Sequence, residues 1–316
     1  MNKQPRVSII TPSYNQAQFL EQTILSVLNQ DYPHIEYIII DGGSTDGSVD
    51  IIRKYEHRLA YWVSEPDRGQ VHAINKGMER STGEILAWLN SDDYYLTCAI
   101  RAAVIEMQAR RADYLAGTCM LLNEETNQVH YSTNWRQALK QALVEPRFLQ
   151  PATFWSRRLW NKCGPLNETL DIAFDWDFSA RAITHFPLKA CDCCFAVARL
   201  HPHTKSAVSA LRNRQLRARE ALTVVRRYAD NETIQLWESV VNVLVPRYER
   251  LLKFIGPLQY LPGARRIQWL RFIVAPGMYM QFGRDRVDWA FAWCGFGHRQ
   301  GAFGNYLPSW LRRKHQ

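Results

Sequence analysis

The chain has 316 residues, 47% hydrophobic and 22% charged, the proportions of a globular protein, which exclude disorder as the default. The formal net charge of +9 is uneven: residues 1–200 carry 20 basic and 23 acidic side chains, whereas 201–316 carry 19 and 7. A strongly basic second part after a neutral-to-acidic first part points the tail toward an anionic surface, lipid or nucleic acid. The amino terminus, Met-Asn-Lys-Gln-Pro-Arg, has no signal-peptide core. No apolar run is long enough to span a bilayer; Phe272 to Met280 is short and contains Pro276 and Gly277. The seven cysteines lack paired spacing. Cys191, Cys193 and Cys194 have no second Cys/His pair to complete a zinc site, and they read as strand cysteines of a reducing cytoplasm.

In chain order, Val7 to Ile10 reads as a buried strand entering the polar turn Thr11-Pro12-Ser13-Tyr14-Asn15. Phe19, Leu20, Ile24, Val27 and Leu28 recur at helical spacing. Tyr37 to Ile40 form a second strand, followed by Asp41-Gly42-Gly43-Ser44-Thr45-Asp46-Gly47-Ser48 and a helix through Tyr55. Leu59 to Val63 make a third strand, leading to Ser64-Glu65-Pro66-Asp67-Arg68-Gly69 and a helix over Gln70 to Arg80. Ile85 to Leu89 make a fourth, ending in Asn90-Ser91-Asp92-Asp93. Alternation of this kind predicts an α/β fold with a doubly wound, mostly parallel sheet.

Ligands of such sheets bind at the carboxyl ends of the strands. Four successive strand ends here carry polar, conformationally special residues, which describes one composite pocket. The glycine pattern is neither the dinucleotide fingerprint nor the lysine-bearing phosphate loop. Adjacent Asp92 and Asp93 repel one another unless a cation sits beside them; a solvated turn or helix cap is the plain alternative.

Val-Ser-Ile-Ile-Thr-Pro-Ser-Tyr-Asn, Asp-Gly-Gly-Ser-Thr-Asp-Gly-Ser, Asn-Lys-Gly and Leu-Asn-Ser-Asp-Asp occur in this order. Together they resemble the family 2 glycosyltransferases of the GT-A fold, over residues 5–205. The resemblance implies a nucleotide-sugar donor, a divalent cation (Mn²⁺ or Mg²⁺) and inversion at the anomeric carbon. Gln150-Pro151-Ala152-Thr153-Phe154 matches a segment that in the family lies near the acceptor, which nominates Gln150, Pro151 and Thr153. Leu170 to Phe178, continuing to Arg181, matches the helix start that carries the catalytic base. The usual Glu-Asp pair is here Phe174-Asp175, which leaves Asp175 as the base with Asp177 as the alternative. Arg199 to Ser206, Arg-Leu-His-Pro-His-Thr-Lys-Ser, resembles the family's closing loop over the diphosphate.

On that resemblance Asp93 is a metal ligand and Asp92 bridges ribose and metal. Asp41 meets the base or ribose, Pro12 and Tyr14 wall the base, and Arg68 and Lys205 meet phosphate. His201 reaches the metal or the diphosphate, and His203 is a surface residue. The plain readings beside these are a turn aspartate for Asp41, loop packing for Tyr14, solvated charges for Arg68 and Lys205, and a helix N-cap for Asp175. A free Asp is a weak base, with a pKa of about 3.9, so Asp175 would act through position and timing.

Residues 1–205 are thus expected to form the catalytic domain, and 206–316 a helical, basic, aromatic-rich region. Helices are expected near 207–228 and 233–254. Trp269, Phe272, Trp289, Phe291, Trp293 and Trp310 among arginines suit either a membrane-interface segment or a packed subdomain. No nucleic-acid module is recognised. The expectation is a cytoplasmic, metal-dependent inverting glycosyltransferase acting on a glycan or lipid-linked acceptor in cell-surface polysaccharide synthesis, peripheral on an anionic membrane. Its rivals are a nucleotidyltransferase and a non-catalytic assembly partner of the same fold.

Overall fold

A computed structural model of the chain describes residues 4–132, 150–205 and 213–255, with Met278, Gln281, Phe282, Ala290 and Cys294. The tail tryptophans and phenylalanines named above, and residues 206–212, lie outside the described residues. The chain divides into two compact units, Met1–Arg199 and Leu200–Gln316.

In the first unit the elements run β1 (Val7–Ser13), α1 (Ala17–Leu28), β2 (Ile35–Asp41), α2 (Ser48–Tyr55), β3 (Tyr61–Ser64), α3 (Gln70–Arg80) and β4 (Ile85–Trp88). They continue as β5 (Tyr94–Tyr95), α4 (Ala99–Arg110), β6 (Tyr114–Asn123), β7 (Gln128–Ser132), β8 (Thr153–Ser156), α5 (Arg157–Cys163), α6 (Phe174–His185) and β9 (Leu188–Leu200). Among the described residues the nine strands form one sheet of order β3-β2-β1-β4-β8-β6-β9-β5, with β7 paired to β6. This is the GT-A arrangement. Its first half, β3-β2-β1-β4, is parallel, and β8 then joins β4 and β6 in antiparallel fashion.

The parallel strands carry near-continuous Ile, Val and Leu because helices cover both faces and leave no solvated side; Ile9, Ile10, Ile39, Ile40 and Leu86 are fully buried. β1 pairs with β2 as far as Ser13↔Asp41 but with β4 only as far as Ile10↔Trp88. Thr11, Pro12 and Ser13 therefore extend past β4. The order reverses here, between β1 and β4, and that is where such sheets open a crevice. A proline is tolerated in β1 because it lies beyond the last pairing with β4.

α3 lies directly on the sheet. A Cβ on Gly77 would come within 2.5 Å of Ile10 Cγ2, so only glycine permits this approach. The third strand starts later than expected: Leu59 closes a 3-10 turn, its N–H donating to the Glu56 carbonyl at 3.1 Å. The cysteines of β9 include buried Cys191, whose thiol burial pushes up to about 12.

The second unit contains α7 (Arg214–Tyr228), α8 (Asn231–Ser239), a π-helical turn (Val240–Leu244) and α9 (Val245–Ile255). Ala218, Ala221, Val224, Val225, Leu236, Trp237 and Val240 are buried, so this part is a packed helical subdomain. Asp230 caps α8 by accepting the Thr233 N–H at 2.8 Å. The single helix expected over 233–254 is interrupted by the π turn. Pro246 has no N–H to bond back into the preceding turn, and the ladder widens ahead of it. No helix among the described residues is long and apolar enough to cross a membrane.

Candidate active site

The four polar strand ends are bonded one to the next. Asn15, in a left-handed conformation (φ 50°), accepts the Thr45 N–H at 2.9 Å, and its own N–H donates to Ser44 Oγ at 2.8 Å. Asp46 accepts the Ala17 N–H at 2.9 Å, at the start of α1. These bonds join the loop after β1 to the loop after β2. Asp41 joins the second loop to β3: its Oδ2 accepts the Ser64 hydroxyl at 2.7 Å and the N–H groups of Gly43 and Ser44 at 3.1 and 2.9 Å. Its Oδ1 accepts the Ser44 hydroxyl at 2.6 Å. The third loop meets the fourth where Gln70 Nε2 donates to Asn90 Oδ1 at 2.8 Å. One continuous rim results.

Asp41, expected to meet base or ribose, is fully buried and engaged in four bonds. Its carboxylate organises the rim. Pro12 is buried, and Tyr14 is 62% exposed. Arg68, expected to meet phosphate, sends Nε and Nη2 to Glu168 Oε2 at 3.1 and 2.7 Å. That contact ties the third loop to the segment ahead of α6, and hydrogen bonding from Arg68 holds Glu168 below the usual carboxylate range. Asn75 makes the same connection, donating to the Leu166 carbonyl at 3.0 Å and accepting its N–H at 2.9 Å. Lys76 pairs with Glu65. The Asn-Lys-Gly motif is thus scaffold: Asn75 and Lys76 tie loops together, and Gly77 lets the helix sit down.

Asp92 and Asp93 occupy the turn after β4. Asp93 is 4% exposed and Asp92 half-buried. Asp93 Oδ1 accepts the Arg199 N–H at 3.0 Å, and Oδ2 accepts the Asn90 amide at 3.2 Å. Burial and then the adjacent Asp92 charge push the Asp93 carboxyl well up, against the smaller opposing pull of Arg199 and Asn90. The turn is fastened from behind. Thr23 Oγ1 lies 2.9 and 2.6 Å from the Ser91 and Asp93 carbonyls. Arg199 Nη1 donates to the Asp92 carbonyl at 2.6 Å, Nε to Glu124 at 2.7 Å, and Nη2 to Gln22. Its guanidinium also lies 5.0 and 4.6 Å from the rings of Phe19 and Tyr94. Thr23 and Gln22 were not among the expected site residues; Arg199 was expected in a loop over diphosphate, and it is a buried prop under the carboxylates. Strand alternation was the available signal, since an inward-facing arginine must find acceptors.

The residues present fit a hard divalent cation. A carboxylate offers about four lone-pair sites, of which Asp93 uses two within the protein. Among the described residues no third His, Cys, Asp or Glu groups with them. That suits a cation held by one or two carboxylates and completed by ligand phosphates and water.

α6 begins at Phe174 and its N-cap is Ala173, so neither aspartate of the first turn is the cap. Trp88, the last residue of β4, packs against Phe174 with ring centroids 6.2 Å apart, against Phe178 at 6.1 Å and against Trp155 at 5.0 Å. The phenylalanine that departs from the Glu-Asp pattern is therefore core, and it sets the start of α6 beside β4. Asp175 is half-buried and accepts the Trp176 N–H at 2.7 Å. Asp177 is 1% exposed and pairs with Arg181 at 3.3 Å. Gln150 Nε2 donates to the Trp88 carbonyl at 2.7 Å, and its buried Oε1 has no donor among the described residues. Pro151 and Thr153, expected at the acceptor, are buried; the Thr153 hydroxyl turns inward to the Gln150 carbonyl at 2.7 Å. His201 and Lys205 fall in the second unit, where His201 is buried and accepts the Thr204 N–H at its carbonyl, 3.0 Å. His203 is exposed.

The model of glycosyl transferase family 2 matches residues 8–174, more than half of the chain. The chain belongs to that family. A relative from Mycobacterium tuberculosis, an uncharacterized glycosyltransferase, is 32% identical over 193 residues, 58% of this chain and 70% of that one. A Bacillus subtilis protein, TuaG, whose name assigns it to teichuronic acid biosynthesis, is 46% identical over 95 residues. That match covers 29% of this chain and 38% of TuaG, so the likeness spans well under half of that relative. Among solved structures, a mannosyltransferase from Pyrobaculum calidifontis in complex with GDP-Man and Mn²⁺ superposes with a TM-score of 0.59. It covers 92% of this chain and 86% of its own at 19% identity, a likeness of fold.

Proposed function

We propose that this family 2 glycosyltransferase moves a sugar from a nucleoside diphosphate sugar to a hydroxyl of a cell-surface glycan or its lipid-linked precursor, with inversion. One observation carries the reading: the carboxylate turn follows β4, the Gln150 amide bonds the carbonyl of Trp88 at the end of β4, and Phe174, the neighbour of Asp175, packs on the Trp88 ring. The relative named for teichuronic acid biosynthesis supports the surface-glycan setting, and the mannosyltransferase complex supports a metal and a nucleotide sugar.

Asp92 and Asp93 would hold Mn²⁺ or Mg²⁺, which when bound offsets charge on a departing diphosphate. Arg199 and Thr23 keep those carboxylates in place before any ligand arrives, so little reorganisation is needed during transfer. Asp175 takes the proton of the acceptor hydroxyl as its oxygen bonds to the anomeric carbon, and the bond to the diphosphate breaks on the opposite side. Asp177 is spent on Arg181 and takes no part. Gln150 Oε1 is available to orient the acceptor. Arg68 is poised beside the crevice, with Glu168 as its partner in the absence of phosphate. His201 and Lys205 are assigned to the diphosphate on the motif they belong to. The basic tail is assigned to an anionic membrane surface, and sedimentation with anionic vesicles at low salt tests that assignment.

Asp175→Asn decides the catalytic part. Transfer should fall at least a hundredfold, the scale of a lost general base, while affinity for the nucleoside diphosphate stays near that of the unaltered protein. Transfer at an unaltered rate would remove Asp175 from the mechanism.

A further inference from the structure

The hairpin of β6 and β7 presents apolar side chains to solvent on one face. Direct cross-strand partners share a face, and the register pairs Met120 with Tyr131 and Leu122 with Val129. Alternation sends Leu115, Cys119 and Leu121 to the other face, where they are buried. Met120 and Leu122 are half-buried, Val129 is 46% exposed and Tyr131 is 62% exposed. Single exposed apolar residues are ordinary, but four that adjoin on one face of a hairpin mark a surface for a partner. The turn that joins the two strands is fixed: Asn123 Oδ1 accepts the N–H groups of Glu125 and Thr126 at 2.9 and 3.1 Å.

Three observations place this strip beside the site. Tyr114, on the same face of β6 as Met120, shares a hydrogen bond of 2.9 Å with Ser179 of α6, so the strip continues the sheet face that α6 covers. Asp175 is in the first turn of that helix. On β6, Ser132 pairs with Cys119 and Thr153 with Ala116, three positions apart. The end of β7 is therefore about 10 Å from the start of β8, which the Gln150 segment precedes. At the hairpin turn, Glu124 accepts Arg199 Nε at 2.7 Å, and the same guanidinium donates to the Asp92 carbonyl at 2.6 Å. One arginine thus joins the hairpin to the carboxylate turn.

We infer that the strip of Met120, Leu122, Val129 and Tyr131 holds the hydrocarbon chain of a lipid-linked acceptor. The inference rests on the acceptor reading above and chooses between its two acceptors. Met, Leu and Val side chains offer sugar hydroxyls no hydrogen bond, and the Tyr131 hydroxyl is the single polar side-chain group of the four. A free glycan lying here would lose water from its hydroxyls and gain few partners. An alkyl chain laid along the strip instead removes apolar surface from water on both sides. Each methylene that is fully buried strengthens binding by about fourfold, and by less on an open strip.

The test titrates hexyl and decyl β-D-glucoside, each below its micelle concentration, into the full-length protein. The decyl compound, four methylenes longer, should bind at least about tenfold more tightly. Val129→Ser combined with Tyr131→Ser should lose that gain at an unchanged melting temperature, and Tyr131→Phe, which keeps the ring, should retain it. An equal gain in the double variant, or no dependence on chain length in the unaltered protein, overturns the inference. Sedimentation with phosphatidylglycerol vesicles is followed in parallel. A double variant that sheds the vesicles but keeps the gain would make the strip a membrane surface, which also overturns it. The gain is read without donor, so its absence from a protein that binds a nucleoside diphosphate with Mn²⁺ overturns this inference alone. The gain without nucleotide binding would instead count against the donor reading alone.

Discussion

Asp175 and Asp177 show what decides a role at the scale of one residue. Helix positions two apart point about 200° away from each other, so one aspartate stays half-buried at the surface and the other turns into the core. The letters Asp-Trp-Asp do not say which, because that depends on how α6 docks. Phe174 against Trp88 settles the docking, and Asp177 goes inward to Arg181. Asp177→Ala should cost about 2 kcal/mol in urea denaturation by stranding Arg181, whereas Asp175→Ala should cost under about 1 kcal/mol. Equal losses would mean that both are structural. Arg199 was legible as a motif residue, but its position was not, because its acceptors come from α1, the turn after β4 and the segment after β6. Arg199→Met should destabilise by about 2–3 kcal/mol, since it leaves Glu124 and the Asp92 carbonyl without their donor. It should also weaken Mn²⁺-dependent nucleotide binding; tight binding by a folded Arg199→Met protein would confine the arginine to stability.

At the scale of elements, local pattern was informative where burial and period agree. The helix expected over Gln70 to Arg80 is α3, and the run from Ile85 is β4. β1 extends past its apolar core through Thr11, Pro12 and Ser13 because β2 offers it partners that far, a long-range cause invisible in a local window. The four strand-end loops could be nominated one by one from polar residues after apolar strands. Their hydrogen bonds to each other, separated by 20 to 32 positions in sequence, could not. Gly77 is the tightest joint in this half. Gly77→Ala gains about 1 kcal/mol of helix propensity, but the 2.5 Å contact with Ile10 costs about 1–3 kcal/mol. The steric cost should win, giving a lower melting temperature; a rise would mean that α3 shifts easily on the sheet.

For the whole molecule, the fold and the family were both readable from a few motifs, because loops at the carboxyl ends of parallel strands carry function in short, ordered runs. The partition of charge was also plain, but composition does not distinguish an interfacial segment from a packed one. The described part of the second unit is packed, with Ala, Val and Leu inside. The first unit concentrates its electrostatic stress at Asp93, buried beside a like charge.

The measurement that bears most directly on this account follows melting temperature with Mn²⁺ and with uridine or guanosine diphosphate, separately and together, for the unaltered protein and Asp93→Asn. A ligand that prefers the folded state raises its stability by mass action, about 2.7 kcal/mol at a hundred times its dissociation constant. The account predicts a large rise for the unaltered protein only when metal and nucleotide are both present. Asp93→Asn should show no metal-dependent rise. An equal rise in Asp93→Asn, or none in the unaltered protein with either nucleotide, would contradict the claim that the turn after β4 holds the cation that holds the diphosphate.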